Sequence, residues 1–334
     1  MNRRKIIKGL MATLCILLVL ACASCVWFFV RYNQIRSDPH SIINNQETNN
    51  EEELSIITYN GEEYYKNPNI ATLLFLGIDV YETRGGASLG YRSDMIMICA
   101  INTETDGVTL ISIPRDTKAT VTKMDPDTGE IVGTTVNRIN AAFAFGYDRH
   151  KNSYLNAMQS IENFINCDEQ FDIDLSLYAG IDIDGIPDIA NSVGGVTVTL
   201  DIDFPGLGDE GDTVTLKGQD AIDYVRERKT VGGDLKRAYR QQQFMIALAK
   251  KIKQMGAKKS ILALWDKVGD IVDTNLNTDQ MLAFATILED VDVDGIEKTT
   301  IPTTSDTTSS VSYEIHDEEA LEEIILSTFY VKKS

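Results

Sequence analysis

Three apolar runs constrain this chain more than any other feature: IATLLFLGI (70–78), MIMICAIN (95–102) and VTLISIP (108–114). Each has strand length and stops at turn residues, so each reads as a buried strand. NTETDG, between the second and third, is a hairpin-type connection. If the three form an up-down-up antiparallel meander, the first ends where the second begins, and the third ends at that same edge. Asp79 closes the first run, Arg92 and Asp94 open the second, and Arg115 and Asp116 follow the third. Charges at one strand end are ordinary. Five on one edge, beneath the glycine-rich YETRGGASLGY (81–91), mark a candidate site.

The segment RERKTVGGDLKRAYRQQ (226–242) supplies a second half, with six basic residues in a chain of net charge −19. Arg226 and Arg228 share a face of an extended backbone. Gly232 and Gly233 permit a tight turn, and Asp234 is a natural N-cap for a helix reaching about Met255. On that helix Arg237, Arg240 and Gln241 fall at i, i+3 and i+4, on one face. Cations at a helix start oppose the macrodipole unless an anion sits there, and guanidinium groups suit phosphate. Arginines facing two or three carboxylates are equipment for a pyrophosphate with a divalent metal. Aspartate ligands suit Mg²⁺ or Mn²⁺. The histidines, His40, His150 and His316, are scattered, which argues against a zinc centre and a Ser-His-Asp triad. No Gly-Lys-Ser/Thr follows the glycines, so there is no P-loop. With both carboxylates close together and no cation, one would be expected to protonate more readily.

Elsewhere FDIDLSLYAGI, GGVTVTL and EKTTIPTT read as strands. DGIPDIANSV, KGQDAIDYV, ILALWDKVGDIV, TDQMLAFATILEDV and DEEALEEIILSTF read as helices. The alternation gives one α/β domain beginning near Asn69. Cys99 lies in an apolar run and reads as a core thiol, and a Cys99–Cys167 pairing stays open. A pI near 4.6 argues against nucleic acid as a partner. At the N-terminus, Arg3, Arg4, Lys5 and Lys8 precede 22 uncharged residues, Gly9–Val30. As a helix this stretch spans about 33 Å, enough for a bilayer core of about 30 Å. The positive-inside bias puts the N-terminus in the cytoplasm and the rest outside. The run is long for a cleaved signal peptide, and LVLAC fits a lipoprotein site at Cys22 poorly. Residues 31–66, including NNQETNNEEE, read as a polar tether.

The stretches LLFLGID, YRSDMIMI, ISIPRDT, NRINAAFAFG, SVGGVTV, YVRERK and GGDLKRAYRQQ occur in order over roughly 70–250. In this they resemble the LytR-CpsA-Psr proteins of Gram-positive cell envelopes. The resemblance implies a three-layer α-β-α domain around a mixed, largely antiparallel sheet, preceded by one transmembrane helix. The implied plan is a cytoplasmic tail (1–8), the membrane helix (9–30), an extracellular tether (31–66) and a catalytic domain (67–334) with C-terminal helices over 256–334. The implied activity is a cell-membrane phosphotransferase. It moves a glycopolymer, such as teichoic acid or capsule, from an undecaprenyl-pyrophosphate carrier to peptidoglycan through a phosphodiester. Two alternatives are a prenyl-pyrophosphate phosphatase and a non-catalytic protein that holds lipid intermediates.

By motif, the resemblance implies that Asp79 and Asp94 bind Mg²⁺ or Mn²⁺. Arg92, Arg115, Arg226, Arg228 and Arg237, with Gln241, would hold the pyrophosphate, with Arg138 a further candidate by motif; Arg240 joins them on its helical spacing. Arg92, Arg115, Asp116, Arg226, Arg228 and Arg237 form the expected catalytic set, and Asp116 or Asp94 would take the hydroxyl proton. After PRDT the chain has Lys118 and Ala119 where some relatives place another Arg nearby. The prenyl chain requires an apolar tunnel between sheet and helices, with NAAFAFG, Phe244 and Leu248 as candidate walls.

Overall fold

The structure is a computed structural model of the chain. It describes residues 31, 33–35, 38–43, 55–79, 91–148, 150–227, 233–306, 308 and 311–333. The expected membrane span, the glycine-rich loop over 80–90 and the turn at 228–232, with Arg228, lie outside the described residues.

A hairpin of β1 (Ile56–Tyr59) and β2 (Glu62–Lys66) leads into the meander β3 (Ile70–Asp79), β4 (Arg92–Asn102) and β5 (Val108–Ser112). A second hairpin, β6 (Lys118–Met124) with β7 (Ile131–Arg138), precedes helix α1 (Lys151–Ile165). Strand β8 (Tyr178–Asp182), helix α2 (Ile186–Ser192), the hairpin β9 (Val196–Thr199) and β10 (Thr213–Leu216), and helix α3 (Gln219–Arg226) follow. Then come α4 (Gly233–Gln254), α5 (Ala257–Val268), β11 (Val272–Thr274), α6 (Thr278–Asp290) and β12 (Glu297–Thr300). The hairpin β13 (Thr303–Asp306) and β14 (Tyr313–His316), helix α7 (Glu318–Phe329) and β15 (Tyr330–Lys332) close the chain.

The central sheet has six strands in the order β11-β8-β3-β4-β5-β12. The meander β3-β4-β5 is antiparallel, as expected. Strand β8 runs parallel to β3, and β12 parallel to β5, so the sheet is mixed. Both faces are covered, which is why the strands read as unbroken apolar runs. Leu74, Leu76, Ile96 and Ile98 pack towards α1 and α7, while Leu73, Met95 and Met97 pack towards α4 and α6. A separate core, with Val196, Leu216, Tyr224 and Phe244, joins the β9–β10 hairpin to α2, α3 and α4.

Residues 56–66, expected within the tether, instead form the β1–β2 hairpin, which β15 extends to three strands. EEYYK in β2 has no apolar run to signal it. The expected strand FDIDLSLYAGI pairs in the sheet as a strand only over its last residues, in β8. Cys99 and Cys167 are not bonded. Cys99 packs on the α4–α6 side of the sheet and Cys167 on the other.

Candidate active site

The meander brings the five charges to one edge. Asp79 and Arg92 are register partners at the end of the β3–β4 ladder. The register shifts between Gly77, paired with Met95, and Ile78, paired with Ser93, which leaves Asp94 as the extra residue of a β-bulge. A bulge re-aims a side chain at a sheet edge, and here Asp94 forms an ion pair with Arg115 from beyond β5. Arg115 Nε also lies 3.6 Å from Asp116 Oδ2, and Arg138 Nε lies 3.4 Å from Asp116 Oδ1. Carboxylates and guanidinium groups therefore alternate along the rim.

The second half meets the first through Arg226, the last residue of α3. Its Nη2 donates to Asp79 Oδ1 at 2.9 Å, and its Nη1 lies 2.9 Å from Asp184 Oδ1. Asp184 was not singled out from the sequence. It follows β8, and only the parallel pairing of β8 with β3 puts it beside Asp79. Arg237 is buried in the first turns of α4. Gln241, one turn on, is buried and donates to the Val225 carbonyl at 3.4 Å.

Arg240 does not join this group. Its side chain is 0% exposed, Nη1 lies 3.5 Å from Asp201 Oδ2, and Nη2 donates to the Glu227 carbonyl at 2.6 Å. It faces inward because the α3 exit and the β9–β10 hairpin cover that side of α4. Helical spacing alone could not separate it from Arg237. Arg138 is also engaged: Nε and Nη2 donate to the Ser312 carbonyl at 2.9 and 2.8 Å, tying β7 to the β13–β14 hairpin. Lys118 sits over the Tyr313 ring, 5.7 Å from its centre, not on the rim.

The rim suits a hard cation only in part. Its donors are all oxygens, which match Mg²⁺ or Mn²⁺. Among the described residues, Ser93 Oγ, buried beside Asp94, has no hydrogen-bond partner. Among the described residues no three His, Cys, Asp or Glu side chains gather as a metal cage. Two carboxylates with phosphate oxygens and water completing the shell fit the usual Mg²⁺ mode. Each of the two carboxylates faces a guanidinium group, Asp79 that of Arg226 and Asp94 that of Arg115.

An apolar cavity of about 390 Å³ lies between the sheet and helices α4, α5 and α6. Phe75, Cys99, Leu248, Trp265 and Phe284 are among its walls. Burial pushes the Cys99 thiol up to about 12, so it stays neutral there. A smaller space of about 40 Å³ shares Met95, Ile181 and Leu248 with the cavity and is lined also by Gly77, Val225, Phe244 and Gln241, with Gly77 two residues before Asp79 and Val225 one before Arg226. Phe244 and Leu248 thus lie where expected. NAAFAFG does not, since Ala142 and Phe143 pack on the opposite face of the sheet.

The sequence profile of the LytR_cpsA_psr family matches residues 28–328. The polyisoprenyl-teichoic acid–peptidoglycan teichoic acid transferase TagU of Halalkalibacterium halodurans is 32% identical over 216 residues, covering 63% of this chain and 62% of that protein. TagV of Bacillus subtilis, of the same designation, is 28% identical over 226 residues, or 65% of this chain and 52% of TagV. In both matches the chain spans less than two thirds of the relative. The crystal structure of B. subtilis TagV aligns with a TM-score of 0.63 at 26% identity, covering 78% of this chain and 96% of that one. TagT bound to LIIa-WTA shares the fold, with a TM-score of 0.58 at 19% identity over 78% of this chain and 89% of that one. With its ordered motifs, its rim and a profile match over most of its length, the chain belongs to the LytR-CpsA-Psr family.

Proposed function

We propose that the protein transfers a teichoic acid or related glycopolymer from a polyisoprenyl-pyrophosphate carrier to peptidoglycan, at the outer face of a membrane in which residues 9–30 anchor it. One observation carries this reading: an apolar cavity shares Met95, Ile181 and Leu248 with a smaller apolar space walled by Gly77 and Val225, which stand two residues before Asp79 and one before Arg226 of the arginine–aspartate rim. Such a site takes an amphipathic ligand with an apolar tail and an anionic head. The names of TagU and TagV point the same way.

Arg92, Arg115, Arg226 and Arg237, with Arg228, bind the pyrophosphate, where guanidinium groups match phosphate oxygens in pairs. The acceptor hydroxyl of peptidoglycan attacks the phosphorus attached to the glycan. A new P–O bond forms, the bond between the two phosphates breaks, and polyprenyl phosphate leaves. Asp116 takes the hydroxyl proton, since its side chain is 21% exposed against 3% for Asp94. Arginines already aimed at the phosphates stabilise charge as it moves to the leaving group. Asp79 and Asp94 would hold Mg²⁺ or Mn²⁺, which when bound neutralises phosphate charge.

The test is transfer by the purified full chain from a synthetic prenyl-pyrophosphate glycan to a peptidoglycan oligomer. Arg226→Ala should lose roughly 100-fold or more in rate, with the melting temperature little changed because Arg226 is 37% exposed. Release of free phosphorylated glycan without transfer would make the protein a hydrolase. Tight binding with neither outcome would make it a carrier.

A further inference from the structure

Beside the rim stands a cluster of positive charge that the transfer does not use. Lys236, Tyr239 and Gln242 are spaced three apart on α4, so they form one stripe along its first turns. Gln242, buried, donates to the Thr299 carbonyl of β12 at 2.7 Å and to the Leu110 carbonyl of β5 at 3.4 Å. These bonds fix the stripe against the outer strand of the central sheet. Lys298 of β12 is the register partner of Leu110, which packs on the α4–α6 side. Its Nζ lies 5.1 Å from the centre of the Tyr239 ring, and Lys236 Nζ lies 6.0 Å from the same centre. All three side chains are exposed.

A lysine on an edge strand discourages unwanted pairing, and a cation over an aromatic ring is attracted to it. Neither reason accounts for two ammonium groups gathered at one ring, where they repel each other. The chain has a net charge of −19, yet these lysines are short of carboxylates. Among the described residues Lys298 has no carboxylate partner, and Lys236 has only Asp201, at 3.9 Å. Arg240 approaches Asp201 more closely, at 3.5 Å. An anion between the two ammonium groups would relieve their repulsion.

The position indicates which anion. Lys236 directly precedes Arg237 of the rim, on an adjoining face of a helix about 10–12 Å across. Lys298 stands two residues, about 7 Å, before Thr300, the register partner of Ser112, which leads into Arg115. An anion held here is about one helix diameter from a phosphate at Arg237, a gap that a saccharide or two spans.

We propose that Lys236, Tyr239 and Lys298 form a second anion subsite, which takes a phosphodiester of the polymer itself while the rim holds the pyrophosphate. This rests on the carrier reading above and names the class of polymer: one with phosphodiesters close to the carrier, not a neutral glycan. The two ammonium groups hold the phosphodiester oxygens, and the Tyr239 hydroxyl is a further donor.

The experiment measures binding, not turnover, by the full chain in detergent at about 0.15 M salt, where the field of the acidic body is screened. Two prenyl-pyrophosphate carriers are compared, one with a glycerol-phosphate oligomer on its saccharide and one with the saccharide alone. In wild type the phosphodiester carrier should bind more tightly. Lys236→Gln/Lys298→Gln should reduce the affinity ratio roughly tenfold. Lys236→Arg/Lys298→Arg keeps both charges and should restore most of it. Both lysines are exposed, so the fold should tolerate either pair. An unchanged ratio in the glutamine variant overturns the proposal, as does a wild type that binds both carriers equally. Wild type that binds but does not transfer sinks the transferase reading alone. The free glycerol-phosphate oligomer, titrated by itself, covers the remaining case. If neither carrier binds, the pyrophosphate reading fails, and the subsite stands only if the oligomer binds wild type and binds the glutamine variant several-fold less. Micelles doped with phosphatidylglycerol test the other source of a phosphodiester. If they displace the oligomer, the lysines read lipid headgroups and the proposal is wrong.

Discussion

Asp79 and Asp94 look alike in the sequence, each beside an apolar run, but the folded chain treats them differently. Asp94 is 3% exposed and paired with Arg115, itself 12% exposed. Asp79 is paired with Arg226, which is 37% exposed and also reaches Asp184. Breaking a buried pair leaves a buried charge and costs about 3 kcal/mol, whereas an exposed arginine keeps water or another partner and the loss is about 1 kcal/mol or less. Asp94→Asn should therefore lower the melting temperature without any metal, and Asp79→Asn should do so much less. Carboxylates that hold a cation also link stability to its concentration, because the ion binds only the folded state. With a prenyl pyrophosphate present, Mg²⁺ should raise the melting temperature of wild type and raise it less in either variant. Thermal scans of the three proteins with EDTA, then with Mg²⁺ and lipid, check both expectations. Equal Mg²⁺ responses would remove the metal assignment, and a small effect of Asp94→Asn in EDTA would remove the pairing argument.

At the scale of elements, α4 shows how far sequence reading reaches. Its span was legible from the glycine turn, Asp234 and the periodicity, and it runs Gly233–Gln254. The meander was legible because each strand is buried on both faces and so is apolar throughout. The hairpins β1–β2 and β6–β7 were not, because exposed faces such as that of IVGTTVNR in β7 carry no apolar pattern. Long-range pairing was invisible too, hence the missed role of Asp184. Arg240 is the sharpest case, since its carboxylate partner, Asp201 after β9, is adjacent to α4 only in the fold. It ties α4 to Asp201 and, through the Glu227 carbonyl, to the α3 exit. As a buried latch it should respond differently from a substrate ligand. Arg240→Met strands Asp201, with Lys236 Nζ left 3.9 Å away, and should cost about 3 kcal/mol. The double variant Arg240→Met/Asp201→Leu removes both charges and should recover much of that loss. A ligand arginine would instead lose activity at unchanged melting temperature, with no rescue by Asp201→Leu. Urea unfolding of the two single variants and the double variant separates these cases.

The whole molecule is acidic, with a net charge of −19, while the rim sets its arginines against Asp79, Asp94, Asp116 and Asp184. Local attraction and the long-range field therefore have opposite signs for an anionic substrate. Field lines from the acidic body extend about 30 Å at 0.01 M salt but only about 8 Å at physiological ionic strength. Contacts within a few ångströms at the rim are screened much less. At low salt a polyanionic, phosphodiester-linked polymer approaching the domain meets net repulsion before any guanidinium group reaches it. Raising salt from about 0.01 M to 0.15 M should remove that repulsion first. The KM for a polyanionic glycopolymer carrier should therefore fall over this range, whereas KM for a carrier with an uncharged glycan should stay level or rise. A basic nucleic-acid-type site would do the reverse, losing affinity steadily as salt is added. Initial-rate measurements with the two carriers at fixed Mg²⁺ distinguish the cases. A KM for the polyanion that climbs steadily with salt would mean that the rim, not the body, governs the approach.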